Sequence, residues 1–410
     1  MTHEPQDVSH IHAALLPWSE QHRRVLPLRG DRTPYRVLVA EVMSQQTQAE
    51  AVGPYLDRFL ARFPTPHALA AAPEQDVLTV WRGLGYYRRA IHLWHAARQI
   101  VERHGGEVPT ALDDLRALPG VGPYVAGAIA SLAFGRDEPA VDANATRVLA
   151  RLFDVRLPVD TPAGVRTIAA LARAVLPPGS AGMWNEALMD LGALVCVPRR
   201  PRCSLCPLSA HCRGLQAATA HRLPLRAPRR SPTEVTVVTV LAWNRSRQVA
   251  VRQRPADGLL GRMWEFPTLE GAVSVNAVAA YFGWKLQGVR ALPVFRHVFT
   301  HRIWLVHPHE AHVDLEPIAA ARLNAAAHPD AAALPNAAAL PTAVAAEPRT
   351  AEAPATRPIR SRVAAVAPPV GDLAVPPGTI QWVTLEALGR LPLAGPALRV
   401  AAGAGLRLEK

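Results

Sequence analysis

The spacing of apolar residues divides the chain into a helical part and a part with strands. Between residues 8 and 225, apolar side chains recur at intervals of three and four, as at Ile91 and Trp94, which predicts amphipathic helices. From residue 234 onward the interval becomes two, as at Val235 and Val237, which predicts strands. We therefore predict a multi-domain protein in which an all-α domain precedes a smaller α/β domain.

The same pattern sets the expected domain boundaries. The helical domain is predicted at residues 8–221, a linker rich in Pro, Arg and Leu at 222–232, and the second domain at 233–402. An insertion at about 313–375 interrupts the second domain: residues 321–370 contain 19 Ala and 8 Pro but no Phe, Trp or Tyr. Because such a segment cannot bury much apolar area, we expect it to be disordered.

The net charge indicates which class of binding partner is favoured. Lys and Arg number 45 against 33 Asp and Glu, which gives a formal net charge of +12 and an isoelectric point of about 10.5, so a polyanionic partner is favoured. The N-terminus is polar and no long apolar run follows, so we expect neither secretion nor a membrane partner. All four cysteines lie between Cys196 and Cys212, which excludes a disulfide-stapled secreted scaffold.

These cysteines form the first candidate site, because four thiolates within 17 residues can converge on one metal centre. They are Cys196, Cys203, Cys206 and Cys212. A zinc site usually pairs two short Cys knuckles, and this loop has only one. A four-iron cluster also needs four thiolates and tolerates uneven spacing. The spacing alone leaves zinc and iron–sulfur open.

A second candidate site is the turn LPGVGP at residues 118–123, between two predicted helices. Gly120 and Gly122 allow the backbone to turn tightly and to approach another surface closely. Pro123 suits the first position of a helix, whose free N–H groups can bind a phosphate. An ordinary helix–helix connection could have the same residues, so the turn alone leaves both interpretations open.

Two acidic residues are candidates for acid–base chemistry. Glu41 is flanked by apolar residues, so burial is expected to raise its pKa toward that of a general acid. Asp142 lies in a more polar stretch with Asn144, so it is expected to stay ionised and to be able to stabilise a developing positive charge. Taken singly, either acid could instead be a surface charge or a helix cap.

Four strings of sequence are similar, in the same order, to the MutY-type adenine DNA glycosylases of the helix–hairpin–helix, or endonuclease III, superfamily. The strings are EVMSQQTQ at 41–48, GLGYYRRA at 83–90, VDAN at 141–144 and WNEALMDLGA at 184–193. With the cysteine spacing, the resemblance covers residues 14–213. It implies a [4Fe–4S] cluster on the four cysteines, with a structural and DNA-docking role. It also implies a hairpin that grips the DNA backbone without reading sequence.

The resemblance implies a role for each residue that matches a family motif. Glu41 would protonate adenine and later help to activate water. Asp142 would stabilise the oxocarbenium-like sugar, with Asn144 orienting this region and Tyr124 supporting catalysis from the hairpin. The residues expected at the DNA are the intercalating Gln46 and Tyr86, the hairpin Gly120 and Gly122, and, at the border of the flipped adenine, Arg29 and Glu186.

The second domain resembles the Nudix-like domain of the same family. The string RPADGLLGRMWEFP at 254–267 matches a family motif, whereas the acidic helix that binds magnesium in hydrolytic Nudix enzymes is not found in the sequence. The domain is therefore expected to recognise rather than to hydrolyse. Phe299, Thr300 and His301 resemble the family loop that contacts 8-oxoguanine, although His301 alone could be an ordinary surface histidine.

The implied function is that of a monofunctional DNA glycosylase, which excises adenine opposite 8-oxoguanine or guanine from duplex DNA in base excision repair. A bifunctional lyase would need a Lys at the position of Tyr124, and a non-catalytic lesion reader would not need both carboxylates. We expect a monomer that acts on nucleoid DNA in a bacterial cytoplasm. Three features depart from the family: Leu28 replaces a Trp of the adenine pocket, Ala143 replaces a Gly, and the insertion interrupts the second domain.

Overall fold

The computed structural model describes residues 8–26, 29–228, 231–255, 258–272, 274–314 and 380–408. Leu28 and nearly all of the expected insertion lie outside the described residues, while Val313, where the insertion was expected to begin, still belongs to a strand. The described residues form a helical unit followed by a mixed sheet with helices, which confirms the predicted fold class. No helix in these ranges is long and apolar enough to cross a membrane.

The first described helix begins at Ser9, and three helices of this unit begin at a residue whose side chain accepts a hydrogen bond from the first turn. Thr161, for example, accepts a hydrogen bond from the Gly164 amide at 3.2 Å, and Pro162 occupies the first helical position. The helices are α1 (Ser9–His22), α2 (Pro34–Ser44), α3 (Ala49–Arg62), α4 (Pro66–Ala71), α5 (Glu74–Val80), α6 (Arg88–His104), α7 (Leu112–Ala117), α8 (Pro123–Leu132), α9 (Ala143–Leu152), α10 (Pro162–Ala174), α11 (Ala181–Leu194) and α12 (Arg213–Gln216).

Two hydrophobic cores lie side by side in this unit. The first is formed by α2 to α8 around the fully buried Phe59 and Trp81. The second joins α1 to α9, α10 and α11 around Leu15 and Trp184. Glu41 projects from α2 in the first core, and Asp142 immediately precedes α9 at the edge of the second. Asp142 lies close enough to Glu41 for its charge to raise the pKa of Glu41.

The second unit is built on a sheet with the strand order β3-β2-β1-β7-β5, in which β4 also pairs with β1, β6 with β7 and β8 with β2. β1 and β7 run parallel over eleven paired positions, from Thr233 with Arg302 to Trp243 with His312. The strands are β1 (Thr233–Trp243), β2 (Val249–Gln253), β3 (Trp264–Glu265), β4 (Thr268–Glu270), β5 (Leu286–Ala291), β6 (Phe295–Val298), β7 (Arg302–Val313) and β8 (Gln381–Val383). The accompanying helices are α13 (Val275–Phe282), α14 (Leu385–Arg390) and α15 (Gly395–Gly403).

The two units touch beside the turn that precedes α6. The Tyr87 side chain packs against the first helical core and also against a core of the sheet unit. Arg82 donates a hydrogen bond from Nη1 to the Gly389 carbonyl at 2.5 Å, and Arg262 pairs with Glu74 at 3.2 Å. The turn between Arg82 and Tyr87 is thus held from both units.

Candidate active site

Glu41 is a buried acid with one strong hydrogen-bond donor. Its residue is 7% exposed, and the hydroxyl of Tyr124, the second residue of α8, donates to Oε2 at 2.7 Å. Burial raises the pKa of Glu41 from 4.5 to about 7, against the lowering effect of the Tyr124 hydrogen bond. The charges of Asp142 and Glu186 also raise this pKa, and that of Arg29 lowers it. A carboxyl group with such a pKa carries a transferable proton at neutral pH.

Asp142 is held rigidly at the N-terminus of α9. Its Oδ1 accepts the Ala145 amide proton at 2.6 Å and its Oδ2 accepts from the Asn144 side-chain amide at 2.8 Å. Burial raises the pKa of Asp142, while these hydrogen bonds and the charge of Arg147 lower it. The sequence suggested a polar setting, and the structure adds desolvation, so the pKa is raised overall. The position at a helix N-terminus and the hydrogen-bond donors keep the pKa of Asp142 below the value that burial alone would give.

Hydrogen bonds continue from Asp142 to the cysteine loop. Asn144 Oδ1 accepts from Arg147 Nη2 at 2.8 Å, and Arg147 Nε donates to the Cys196 carbonyl at 2.7 Å. A Cβ on Gly192 of α11 would lie 2.6 Å from the Asn144 Cβ, so glycine is what allows α11 to approach α9 here. Sequence reasoning missed Arg147, although an Arg three residues after Asn144 on an apolar helix face was a usable signal.

The four cysteines are half-buried and line one open cavity. Burial raises the pKa of the Cys206 thiol to about 12, and the charges of the other three cysteines raise it further. A thiol with such a pKa ionises at neutral pH only beside a cationic centre. Within the described ranges, however, no three His, Cys, Asp or Glu side chains are grouped so that they could hold a metal ion.

Arg29 and Glu186 lie in an ion-pair network next to Glu41. Asp190, one helical turn after Glu186 and fully buried, accepts from Arg29 Nη1 and Nη2 at 2.7 and 2.9 Å, while Arg29 Nε lies 3.4 Å from Glu186. Sequence reasoning missed Asp190, although two acids four residues apart in an otherwise apolar helix were a usable signal. The remaining pairs are Arg23 and Arg32 with Glu186, and Arg24 with Asp190.

The structure of the chain requires glycine at Gly120 but not at Gly122. Gly120 has a φ of +80°, and a Cβ there would lie 2.8 Å from the His92 Cβ, so both backbone and packing demand glycine. Gly122 is extended, and a Cβ there would meet no atom within 4 Å. Packing inside the chain therefore does not explain Gly122. Its exposed backbone, at the N-terminus of α8, is open to close approach by another molecule.

Two pairs of exposed residues complete the candidate site. Gln46 and Tyr86 are exposed and both have left-handed backbone, with φ of +57° and +49°. Thr300 and His301 are exposed at the tip of the β6–β7 hairpin. Phe299 anchors that tip, since its amide bonds to the Arg302 carbonyl at 2.8 Å and its ring packs on Trp304. Each pair presents side chains outward from a fixed backbone.

Comparison with known proteins places these features in a family context. The profile of the HhH-GPD superfamily base excision DNA repair proteins matches residues 39–174, and that of the NUDIX domain matches residues 238–344. The adenine DNA glycosylase of Mycolicibacterium smegmatis is 41% identical over 213 residues, which are 51% of this chain and 72% of that protein. The adenine DNA glycosylase of Homo sapiens is 34% identical over 316 residues, which are 64% of this chain and 58% of that protein.

A solved structure of a thermostable thymine-DNA glycosylase is 29% identical, covers 51% of this chain and 97% of that one, and has a TM-score of 0.48. The chain spans about three fifths of the length of several curated adenine DNA glycosylases that it matches, among them those of Homo sapiens at 58% and Rattus norvegicus at 61%.

The raised pKa of Glu41 predicts how stability depends on pH. Because folding raises the pKa from 4.5 to about 7, the stabilisation by the neutral carboxyl is fully present below pH 4.5 and is lost as the pH rises through about 7. Glu41→Gln cannot ionise, so from pH 4.5 to pH 8 the variant should gain roughly 3 kcal/mol in unfolding free energy relative to the unmodified protein. Urea unfolding at both pH values measures this gain.

The matched control is Glu102→Gln on the exposed side of α6, which should show no such gain. A Glu41→Gln variant whose stability follows that of the unmodified protein at both pH values would contradict the assigned pKa.

Proposed function

The chain belongs to the adenine DNA glycosylase family, and we propose that it hydrolyses the N-glycosidic bond of adenine in duplex DNA, as a monofunctional enzyme of base excision repair. The observation that carries the proposal is the pairing of two differently placed carboxyl groups. Glu41 is buried with a pKa near 7, and Asp142 is fixed at a helix N-terminus beside it. Cleavage of a glycosidic bond needs one acid that donates a proton and one carboxylate that stabilises a sugar cation.

We propose the following order of events. The adenine is flipped out of the helix, because the bond to be cleaved is otherwise buried in the base stack. Glu41, oriented by the Tyr124 hydroxyl, gives its proton to the adenine ring, and the bond between the sugar and the base breaks with its electron pair going to the base. Asp142 stabilises the resulting sugar cation. Water then adds to the sugar carbon and returns a proton to the Glu41 carboxylate.

The residues around this pair support the proposal. Asn144 donates to Asp142 and so holds its carboxylate in place. Arg29 and Glu186 would border the extruded adenine, since both act on the Glu41 carboxyl. Tyr124 has no amine with which to form a Schiff base, so we propose that base removal leaves the DNA strand intact.

We propose that the helical unit binds the DNA backbone and opens the base stack. The backbone at Gly120 and Gly122 would bind a phosphate at the N-terminus of α8, and the exposed Gln46 and Tyr86 would enter the base stack. The net charge of +12 supports a backbone-centred interaction of this kind. We propose that the protein acts as a monomer on nucleoid DNA in a bacterial cytoplasm.

We propose that the sheet unit recognises the base opposite the adenine. The adenine itself is a normal base, so the distinction between a mispair and a correct pair must come from the other strand. 8-Oxoguanine differs from guanine by an N–H donor at N7 and an oxygen acceptor at C8. Thr300 and His301, exposed at the β6–β7 tip, can donate and accept hydrogen bonds. We therefore propose adenine opposite 8-oxoguanine as the preferred substrate and adenine opposite guanine as a second one.

We propose that the four cysteines hold a [4Fe–4S] cluster. The four cysteines line one cavity, and a four-iron cluster takes four thiolates at uneven spacing, whereas a zinc site usually pairs two short Cys knuckles. The cluster would fix the loop and so present its exposed arginines to the DNA backbone. Arg151 donates to the Cys196 sulfur at 3.3 Å and to the Val197 carbonyl at 2.8 Å, which supports the shape of the loop from α9.

The activity is tested on a duplex with adenine opposite 8-oxoguanine. We expect strand breaks only after treatment with alkali, because base removal leaves an alkali-labile site in an intact strand. Glu41→Gln keeps the size of the side chain but removes the proton, so single-turnover excision should fall by about 10²–10⁴-fold while duplex binding is retained.

The other possible outcomes of this assay would indicate a different function. Breaks without alkali would indicate a lyase, and no breaks under either condition would indicate a reader without catalysis. Glu102→Gln serves as the control and should excise at the unmodified rate. Undiminished excision by Glu41→Gln would contradict its role as the acid.

The metal centre is tested by its composition. We expect protein purified without oxygen to be brown, to absorb in the blue region and to contain about four irons per chain. Colourless protein with one zinc per chain would instead decide for a mononuclear site.

The recognition loop is tested by the double change Thr300→Ala with His301→Ala. Loss of a specific buried hydrogen bond costs about 1–3 kcal/mol, so affinity for the 8-oxoguanine duplex should fall by roughly tenfold to a hundredfold. Affinity for the guanine duplex should fall much less, so the ratio between them should collapse. Binding is measured for both duplexes at one salt concentration, since phosphate contacts depend on salt.

The control for the loop is His312→Ala, an exposed histidine at the far end of β7. It should leave both affinities unchanged. An equal loss of affinity for both duplexes in the double variant would mean that the loop contacts only the DNA backbone.

A further inference from the structure

The two turns that carry Gln46 and Tyr86 share an unusual backbone. Both residues have positive φ, at +57° and +49°, a region that residues other than glycine rarely adopt. Both are nonetheless exposed, and Tyr86 has 52% of its surface in solvent. Such conformations persist only where surrounding contacts determine them. The contacts that fix these two turns therefore decide where the two side chains point.

One buried guanidinium contacts both turns. Arg89, the second residue of α6, is 8% exposed and places its two terminal nitrogens between the end of α2 and the turn before α6. On the α2 side it donates to the carbonyls of Met43 at 2.7 Å, Val42 at 3.2 Å and Gln45, and to the Thr47 hydroxyl at 3.2 Å. On the other side it donates to the carbonyls of Gly85 at 3.1 Å and Leu84 at 3.4 Å.

The charge of Arg89 suits this position. The hydrogen-bond partners described above are carbonyls and one hydroxyl, and the carbonyls at the end of α2 carry the negative end of the helix dipole. Burial lowers the pKa of Arg89 to about 10, so the group stays charged at neutral pH. Its guanidinium carbon also lies 5.4 Å from the centre of the Tyr86 ring. The same cation thus contacts the backbone of both turns and the ring of one of the exposed side chains.

We propose that Arg89 is a positioning residue that holds Gln46 and Tyr86 in one fixed relative arrangement, so that both enter the base stack together. A planar guanidinium presents several donors at fixed angles and can bond both turns at once, whereas a Lys ammonium is a compact donor that cannot span them. This inference rests on the proposed function, because it takes these two side chains to be the ones that open the duplex.

The test compares Arg89→Lys with the unmodified full-length protein on two duplexes. In the first, adenine is paired with 8-oxoguanine; in the second, it faces an abasic site and has no partner to separate from. Extrusion is followed by the fluorescence of 2-aminopurine placed next to the adenine, and excision is followed in single turnovers. Arg98→Met, on the exposed face of the same helix, is the control.

For Arg89→Lys we expect excision from the paired duplex to fall by about a hundredfold, the effect of a misplaced group remote from the chemistry. The 2-aminopurine signal should fall with it. Excision from the unpaired duplex should fall by less than about threefold on the same reasoning, because that adenine needs little help to leave the stack. Arg98→Met should match the unmodified protein on both duplexes.

Two results would overturn the inference. Equal losses on both duplexes, together with a lower melting temperature, would mean that Arg89 only stabilises the fold. Unchanged fluorescence and unchanged excision would mean that it positions nothing. If the unmodified protein excises adenine from neither duplex, the proposed function fails, while the fluorescence of the two proteins still decides whether Arg89 controls duplex opening.

Discussion

The desolvation of Glu41 is the constraint on which the site depends. A carboxyl group buried inside the helical unit is costly to ionise, and this cost raises its pKa to about 7. The Tyr124 hydroxyl limits the shift and fixes the orientation of the group. The fold must therefore bring the start of α8 against the middle of α2, and the hairpin turn between α7 and α8 achieves this. The hairpin that we propose to bind DNA is in this way also the element that positions the acid.

The second carboxyl group is also desolvated, but more hydrogen bonds oppose the rise of its pKa. Asp142 is half-buried, but it accepts two hydrogen bonds at the start of α9, and these work against desolvation. Its position also depends on the cysteine loop, because Asn144 and Arg147 connect it to the Cys196 carbonyl. The arrangement of that loop and the geometry of the site are consequently parts of one hydrogen-bonded structure, although the cysteines lie far from Asp142 in sequence.

The local sequence pattern was sufficient to predict the fold class and a buried acid, but not the contacts between residues far apart in the sequence. The helical period, the change to alternation after residue 234 and the apolar flanks of Glu41 were enough to predict the fold class and a buried acid. The partners of Arg29 and Arg89 were not predictable in this way, since Asp190 is 161 residues from Arg29 and Met43 is 46 from Arg89. Such contacts arise from how helices pack. The desolvation of Asp142 was missed for a similar reason.

The role of Glu41 as the acid depends on its pKa, which can be measured in the folded protein. The carboxyl carbon of Glu41 can be followed by NMR across a pH titration of the folded protein labelled with ¹³C at glutamate, and it is assigned by the signal that disappears in Glu41→Gln. A midpoint near 7 is the result that burial among apolar side chains predicts. A midpoint near 4.5, the ordinary value for a solvated glutamate, would contradict a protonated acid at neutral pH and with it the proposed division of roles between the two carboxyl groups.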